Sequence, residues 1–288
     1  MSAAVALTQH PKIEVSHLTV NYAEKSREFT ALRDVSFTVE EGEFVSIIGA
    51  SGCGKSTLLS VLEGLYKQAG GEITINGKPL EGTGKERGVV FQHYSLFPWM
   101  TTRRNIAFGI AQVRKDLSRK ERLALADTFL EKVGLGEFGN KYPSQLSGGM
   151  QQRAAIARAL AMDTDILLMD EPFSAIDAKN RIVLQELLLK LWEGGEHRKA
   201  DASGSENARK SVVFVTHDID EAILLSDKIV VLTAHPGTVA EIIPVPFERP
   251  RDRQKLVQSP EYAEFRSHLL HLFYNDIAER IGGEEVVL

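Results

Sequence analysis

One stretch, Gly49-Ala50-Ser51-Gly52-Cys53-Gly54-Lys55-Ser56-Thr57, limits what this chain can fold into more than any other. It fits the phosphate-loop pattern of Gly, four residues and Gly-Lys-Ser. Its flanks fit as well. Phe44-Val45-Ser46-Ile47-Ile48 reads as a buried strand, and Leu58, Leu59, Val61, Leu62 and Leu65 recur at helical spacing after it. A strand, a glycine loop and a helix start form an anion cradle: backbone N–H groups point inward and the helix N-terminus adds partial positive charge. Lys55 would reach the β- and γ-phosphates, and the Ser56 hydroxyl would meet Mg²⁺. Chance alone produces the fixed positions in a chain of this length on the order of 1% of the time. The sequence therefore predicts a nucleoside triphosphate site.

The 288 residues allow one large domain or two small ones, and 43% hydrophobic with 25% charged residues can build a sizeable core. A net charge of −5 gives no reason to expect a nucleic-acid partner. Cys53 is the single cysteine, which rules out an internal disulfide and suits a reducing compartment. At the N-terminal end of the loop's helix, its thiol is expected to be open to alkylation unless nucleotide covers it. The first 30 residues carry no secretory signal and no apolar run reaches the roughly 18 residues of a membrane span.

Residues 1–10 read as a tail. Ile13-Glu14-Val15 and Val35-Ser36-Phe37-Thr38-Val39 alternate as strands do, and Val89-Val90-Phe91 is a short apolar run ending at Gln92. Residues 102–162 change character, with helical patterns over 117–133 and 148–162, so a helical insert is expected. Beyond it, Ile166–Met169, Val212–Val215 and Ile229–Leu232 are continuous apolar runs of the kind buried on both faces of a parallel sheet. Helical patterns over 180–192 and 218–225 separate them, which gives βαβ units. The polar stretch 194–211 reads as a surface loop of open role, and a proline-rich segment over 235–250 precedes an amphipathic helix to about residue 280.

Asp170-Glu171 closes the apolar run that ends at Met169. There Asp170 can support Mg²⁺ through water, and Glu171 can orient and deprotonate an attacking water. Leu146-Ser147-Gly148-Gly149-Met150-Gln151-Gln152-Arg153 opens a helix with Ser147 as its cap. Two glycines behind that cap leave bare N–H groups, a second anion site far from the first in sequence, so the site is expected to be composite.

Leu146 to Arg153, met in this order with the phosphate loop and Asp170-Glu171, resembles the signature of ATP-binding cassette (ABC) transporter ATPases. Gln92 stands at that family's Q-loop, Ser174-Ala175-Ile176-Asp177 at its D-loop with Ile where Leu is commoner, and His217 at its H-loop. Tyr22 lies where an aromatic stacks on adenine, with Phe29 a rival. The resemblance covers about residues 11–235. It implies an α/β fold: a P-loop NTPase (RecA-like) core over 11–93 and 163–235, an antiparallel β subdomain, a helical subdomain inserted at about 94–162, and a short C-terminal extension over 236–288. It implies ATP and Mg²⁺ as ligands. Lys55 and the amides of Gly49 to Thr57 would hold the phosphates, Ser56 and Gln92 would ligate the metal with Asp170 in support, Glu171 would be the general base and His217 would contact the γ-phosphate. Two copies would pack head to tail, with Ser147, Gly148, Gly149 and Gln151 of one closing on ATP held by the other and Asp177 working across the seam.

Phe97-Pro98-Trp99-Met100-Thr101, His235-Pro236-Gly237-Thr238-Val239 and Arg249-Pro250-Arg251 resemble the nitrate, sulfonate, taurine and bicarbonate importer group. Tyr94 to Thr101, unless it is core of the helical insert, would receive a helix of a membrane subunit. The extension is too short for the regulatory domain that sugar and sulfate importers append. The resemblance thus implies a homodimer peripheral to the cytoplasmic face of the plasma membrane, beneath two permease subunits, with a separate solute-binding protein and no nucleic acid. Two other readings stand beside it: a soluble cassette ATPase outside transport, which usually carries two cassettes or a coiled-coil insert, and a non-enzymatic nucleotide-binding module, which the presence of Lys55, Asp170, Glu171 and His217 opposes. A third, an unrelated P-loop kinase or GTPase, is opposed as well: a GTPase would show Asn-Lys-x-Asp, which is missing here, and a kinase would not need Leu146 to Arg153.

Overall fold

A computed structural model describes residues 10–24, 27–193 and 209–281. The predicted tail and most of the 194–211 loop lie outside the described residues. Two sheets form among them. The first is antiparallel, in the order β2 (Arg27–Val39), β1 (Ile13–Glu24), β4 (Gly70–Ile75), β5 (Lys78–Pro79). The second carries the site. Its order is β10 (Val239–Pro244), β9 (Lys228–Leu232), β3 (Phe44–Gly49), β8 (Ser211–Val215), β7 (Ile166–Asp170), β6 (Arg87–Val90), parallel except for β10. Two parallel strands of one sheet cannot be joined by a hairpin, so helices cross its faces.

The period-two geometry of a strand sends alternate side chains to opposite faces. On one face Val45, Ile47, Leu168, Val213, Val215 and Val230 pack with helix α1 (Lys55–Leu62) under the antiparallel sheet. On the other, Phe44, Leu167, Met169, Val212 and Phe214 meet α4 (Gly148–Ala161) and α5 (Ala178–Glu193). Both faces are covered, which is why these strands are apolar throughout. The helical insert has its own core, in which Ile106 and Ile110 of α2 (Thr102–Val113) and Ala126 and Leu130 of α3 (Arg119–Lys132) meet Ala154, Ala157 and Ala161 of α4. A short helix, α6 (Ile219–Leu225), lies beyond β8; α7 (Arg253–Val257) and α8 (Pro260–Ile281) follow the core sheet.

Two expectations change. The helix after the phosphate loop ends at Leu62, with Gly64 at φ 78°, and Leu65 is exposed rather than part of its buried face. The sheet also runs past residue 235: β10, which the sequence division assigned to the extension, hydrogen-bonds to β9 from Val239 to Pro244. Pro244 is tolerated because β10 is an edge strand with no outer neighbour among the described residues.

Candidate functional site

β3 ends at Gly49 and α1 begins at Lys55, so the loop between them sits at the carboxyl end of a central strand, where open α/β sheets bind ligands. Gly54 caps α1 at φ 94°, a left-handed conformation strained for any side chain, and a Cβ there would strike Leu32. Lys55 is buried; its Nζ curls back to the carbonyl oxygens of Gly49 (2.8 Å) and Ala50 (3.1 Å) at the loop's inner edge. Ser51 and Gly52 stand exposed at the tip, and Ser56 and Thr57 follow on the first turn of the helix. Cys53 corrects an expectation: it is 0% exposed and packs with Val45, Leu58 and Val215, so the folded loop hides its thiol even without nucleotide to cover it.

β7 lies one strand away from β3, across β8, and delivers Asp170 to the same end of the sheet. The Ser56 hydroxyl donates to Asp170 Oδ1 at 3.4 Å. Burial raises the Asp170 carboxyl above its ordinary range; the Ser56 hydrogen bond opposes this, Glu171 adds to it, and Lys55 counters it. A hydroxyl and a carboxylate are hard oxygen donors, the set that suits Mg²⁺ shared with phosphate oxygens. No cluster of three His, Cys, Asp or Glu occurs among the described residues, so an all-protein cage for a softer metal is not built there. The residues present therefore fit Mg²⁺ with a triphosphate.

Glu171 follows at φ 39°, a left-handed backbone rare for a residue with a side chain. That turn aims its carboxylate at two other motifs. His217 Nδ1 lies 3.1 Å from Glu171 Oε2, and Gln92 Nε2 donates to the same oxygen at 3.3 Å. Gln92, expected beside Ser56, also reaches the Ser174 hydroxyl at 3.4 Å. The chain thus gathers the ends of β6, β7 and β8 round one carboxylate.

Tyr22 donates to Thr57 Oγ1 at 3.2 Å and lies against Tyr66 with ring centroids 4.7 Å apart. Its rival Phe29 pairs with it directly across the β1–β2 ladder and is half exposed. Tyr66 was not read from sequence, because it follows the helix in a turn without periodicity.

The second predicted anion site stands apart from this group. Ser147 caps α4, accepting from Met150 N at 3.4 Å. A Cβ on Gly148 would meet the Tyr94 hydroxyl, while one on Gly149 would meet only Asn180, at 3.9 Å. Gln151 donates to Leu146 O at 3.2 Å, holding the turn before the helix. Asp177 accepts from Asn180 N (3.1 Å) and Nδ2 (2.7 Å), bonds that hold its carboxyl below the usual range on an exposed surface. Among the described residues, no hydrogen bond or ion pair joins Ser147, Gly148, Gly149 or Asp177 to the 49–57 loop.

Trp99 is 69% exposed, with its ring 5.4 Å from Phe97, which in turn meets Phe108 at 5.0 Å. Leu96 alone of Tyr94–Thr101 packs against the core of the helical insert. Among the described residues no helix is long and apolar enough to cross a membrane.

Comparisons with known proteins agree in type. Residues 32–174 match the family model described as ABC transporter. A nitrate import ATP-binding protein of Synechococcus elongatus is 44% identical over 251 residues, covering 87% of each chain. A bicarbonate transport ATP-binding protein of the same organism is 40% identical over 269 residues, 93% of this chain and 92% of the relative. An uncharacterised ABC transporter ATP-binding protein of Methanocaldococcus jannaschii is 43% identical over 270 residues, 94% of both. Among solved structures, a dimeric ATP-binding cassette in a post-hydrolysis state bound to ADP and phosphate superposes with a TM-score of 0.69 at 34% identity, covering 82% of this chain and 100% of that one.

Proposed function

The chain belongs to the ABC transporter family and is an ATP-binding cassette ATPase, and from that premise we propose that two copies of it power an importer for a small oxyanion or sulfonate. The observation that carries the catalytic part is the single oxygen, Glu171 Oε2, met by both His217 and Gln92, one residue beyond the Asp170 that takes the Ser56 hydrogen bond. Residues from four separate motifs converge there.

In this reading Lys55 leaves its loop carbonyls for the β- and γ-phosphate oxygens, joined by the amides of the 49–57 loop. Ser56 and Gln92, with Asp170 in support, would hold Mg²⁺, which would offset charge on those oxygens. Glu171 accepts the proton of the attacking water, while His217 holds Glu171 and faces the γ-phosphate. Tyr22 stacks on adenine. Ser147, Gly148 and Gly149 close on ATP held by the second copy, with Gln151 behind them and Asp177 at the seam. The side-chain-free start of α4 at Gly148 and Gly149, together with the dimeric cassette among similar structures, supports a site completed in trans. Hydrolysis removes the bridging phosphate and the dimer opens.

The relatives named for nitrate import and bicarbonate transport support the oxyanion class, and the exposed Trp99 patch suits a permease helix. The protein then sits on the cytoplasmic face of the membrane beneath two permease subunits, fed by a solute-binding protein. Glu171→Gln tests the chemistry. It is expected to retain ATP binding while turnover falls by about 10²–10⁴. Near-normal turnover by the purified variant would remove Glu171 from the role.

A further inference from the structure

Helix α6 begins two residues after His217 and has only seven residues, too few to hold a pose on its own. Ile48, Ile229 and Val231 of the core sheet pack beneath it, and its two ends are gripped from beyond that sheet. At its first turn Asp220 accepts from Tyr262 Oη (2.6 Å) and from Arg266 Nε (2.7 Å) and Nη2 (3.3 Å), all on α8. Burial alone would raise the Asp220 carboxyl, but these two partners outweigh it and hold it below the usual range. At the last turn, where carbonyls lack intrahelical donors, Arg251 Nη1 donates to Ile223 O (3.0 Å), Leu224 O (3.1 Å) and Ser226 O (2.6 Å), and Arg249 reaches Leu225 O. Between these ends Ala222 and Ile223 pack against Tyr262 and Leu269.

A second link runs through the protein interior. Arg253 of α7 hydrogen-bonds to Gln185 Oε1. Gln185 Nε2 donates to Glu221 Oε1 at 2.8 Å, and the hydroxyl of Thr216, the residue before His217, donates to Glu221 Oε2 at 2.7 Å. Gln185, Glu221 and Thr216 are all buried, so losing one member would strand the others without water.

We propose that the segment from Arg249 to Arg266 is a positioning element for the ATPase site: by gripping α6 at both ends and joining Arg253 to Thr216, it sets where His217 stands against Glu171. Tyr262, Arg266 and Arg253 touch no reacting atom and are positioning residues. This rests on the reading of His217 as a group that meets the γ-phosphate. A displacement of about 1 Å at such a group can cost up to 10²-fold in rate.

The test uses the full chain carrying Tyr262→Phe, which removes one hydroxyl, and Arg266→Ala, each alone and combined with His217→Ala. Four quantities are measured: thermal midpoint, affinity for a fluorescent ATP analogue, kcat and KM, and the His217 ring ¹H–¹⁵N signals. The expected result is a fall in kcat of about 5–20-fold with KM and analogue affinity within twofold, a shift of the His217 ring signals, and no further loss when His217 is already Ala. Should Arg266→Ala fail to fold, Tyr262→Phe carries the same expectations. Unchanged kcat with unmoved His217 signals overturns the proposal, as does an equal loss in the His217→Ala background. If His217→Ala alone turns over normally, the reading of His217 fails instead; the ring signals then decide the positioning claim, moved supporting it and unmoved ending it.

Discussion

Glu63 shows how a single buried group stores a pH dependence beside the site. It caps the end of α1, and burial, with a further push from Asp170 against a pull from Arg87, raises its carboxyl from 4.5 to about 7. A carboxyl raised on folding contributes stability that is complete below its unfolded value and is lost as pH rises through the folded one. Glu63→Gln, neutral throughout, should therefore raise the thermal midpoint of the nucleotide-free protein at pH 8 by on the order of 2–4 °C, with the gain vanishing towards pH 4.5. A gain equal at both pH values would contradict this. At this scale the sequence was most legible where a motif names its own atoms. Asp170 lies by Ser56, next to the phosphate loop where the sequence placed it, while the contact of Glu171 with His217 was not read from the sequence. It was least legible where burial decides: nothing in the sequence of the loop says that Cys53 faces the core, because the turn that aims it inward depends on how the loop folds over β3. Glu221 had a faint signal. It lies three residues after the cap Asp218, the spacing of a capping box, yet its carboxylate goes to Thr216 and Gln185 instead.

Elements follow the same division. β3, β7, β8 and β9 were plain because burial on both faces makes each a continuous apolar run. α2 was not individually resolved, because its buried face includes Thr102, Asn105 and Gly109, and Asn105 spends its amide on the carbonyls of Phe97, Met100 and Thr101. A polar residue doing core work erases the 3.6-residue period. β4 starts Gly-Gly-Glu and β10 lies among prolines, so both look like turns, and only pairing with neighbours makes them strands. The element scale also carries the docking claim. Trp99 stands out on the loop that α2 follows, its ring tilted against Phe97 but mostly open to solvent. Trp99→Ala should leave the thermal midpoint within about 2 °C, as surface changes do, yet weaken capture by the purified permease roughly 30-fold or more. Unchanged affinity would return Trp99 to a structural part in the Phe97–Phe108 cluster.

At the scale of the whole molecule, the proposed function has the chain carry both halves of an ATP site without joining them. Ser56 with Asp170, and Glu171 with His217 and Gln92, form one group, whereas Ser147 at the second helix start bonds to the N–H groups of Met150 and Gln151 on its own helix. In that proposal one polypeptide leaves its own site open, whereas two related by a two-fold axis complete two sites at once. The C-terminal segment adds to this picture by holding Asp220 of α6, three residues beyond the His217 that meets Glu171. The most direct measurement is the mass in solution of the Glu171→Gln protein by sedimentation, with and without Mg-ATP. The account predicts monomer without nucleotide and a dimer of twice the mass with Mg-ATP, which Ser147→Arg in the same chain should abolish. A Glu171→Gln protein saturated with Mg-ATP that remains monomeric at high concentration, even beside its permease, would contradict it.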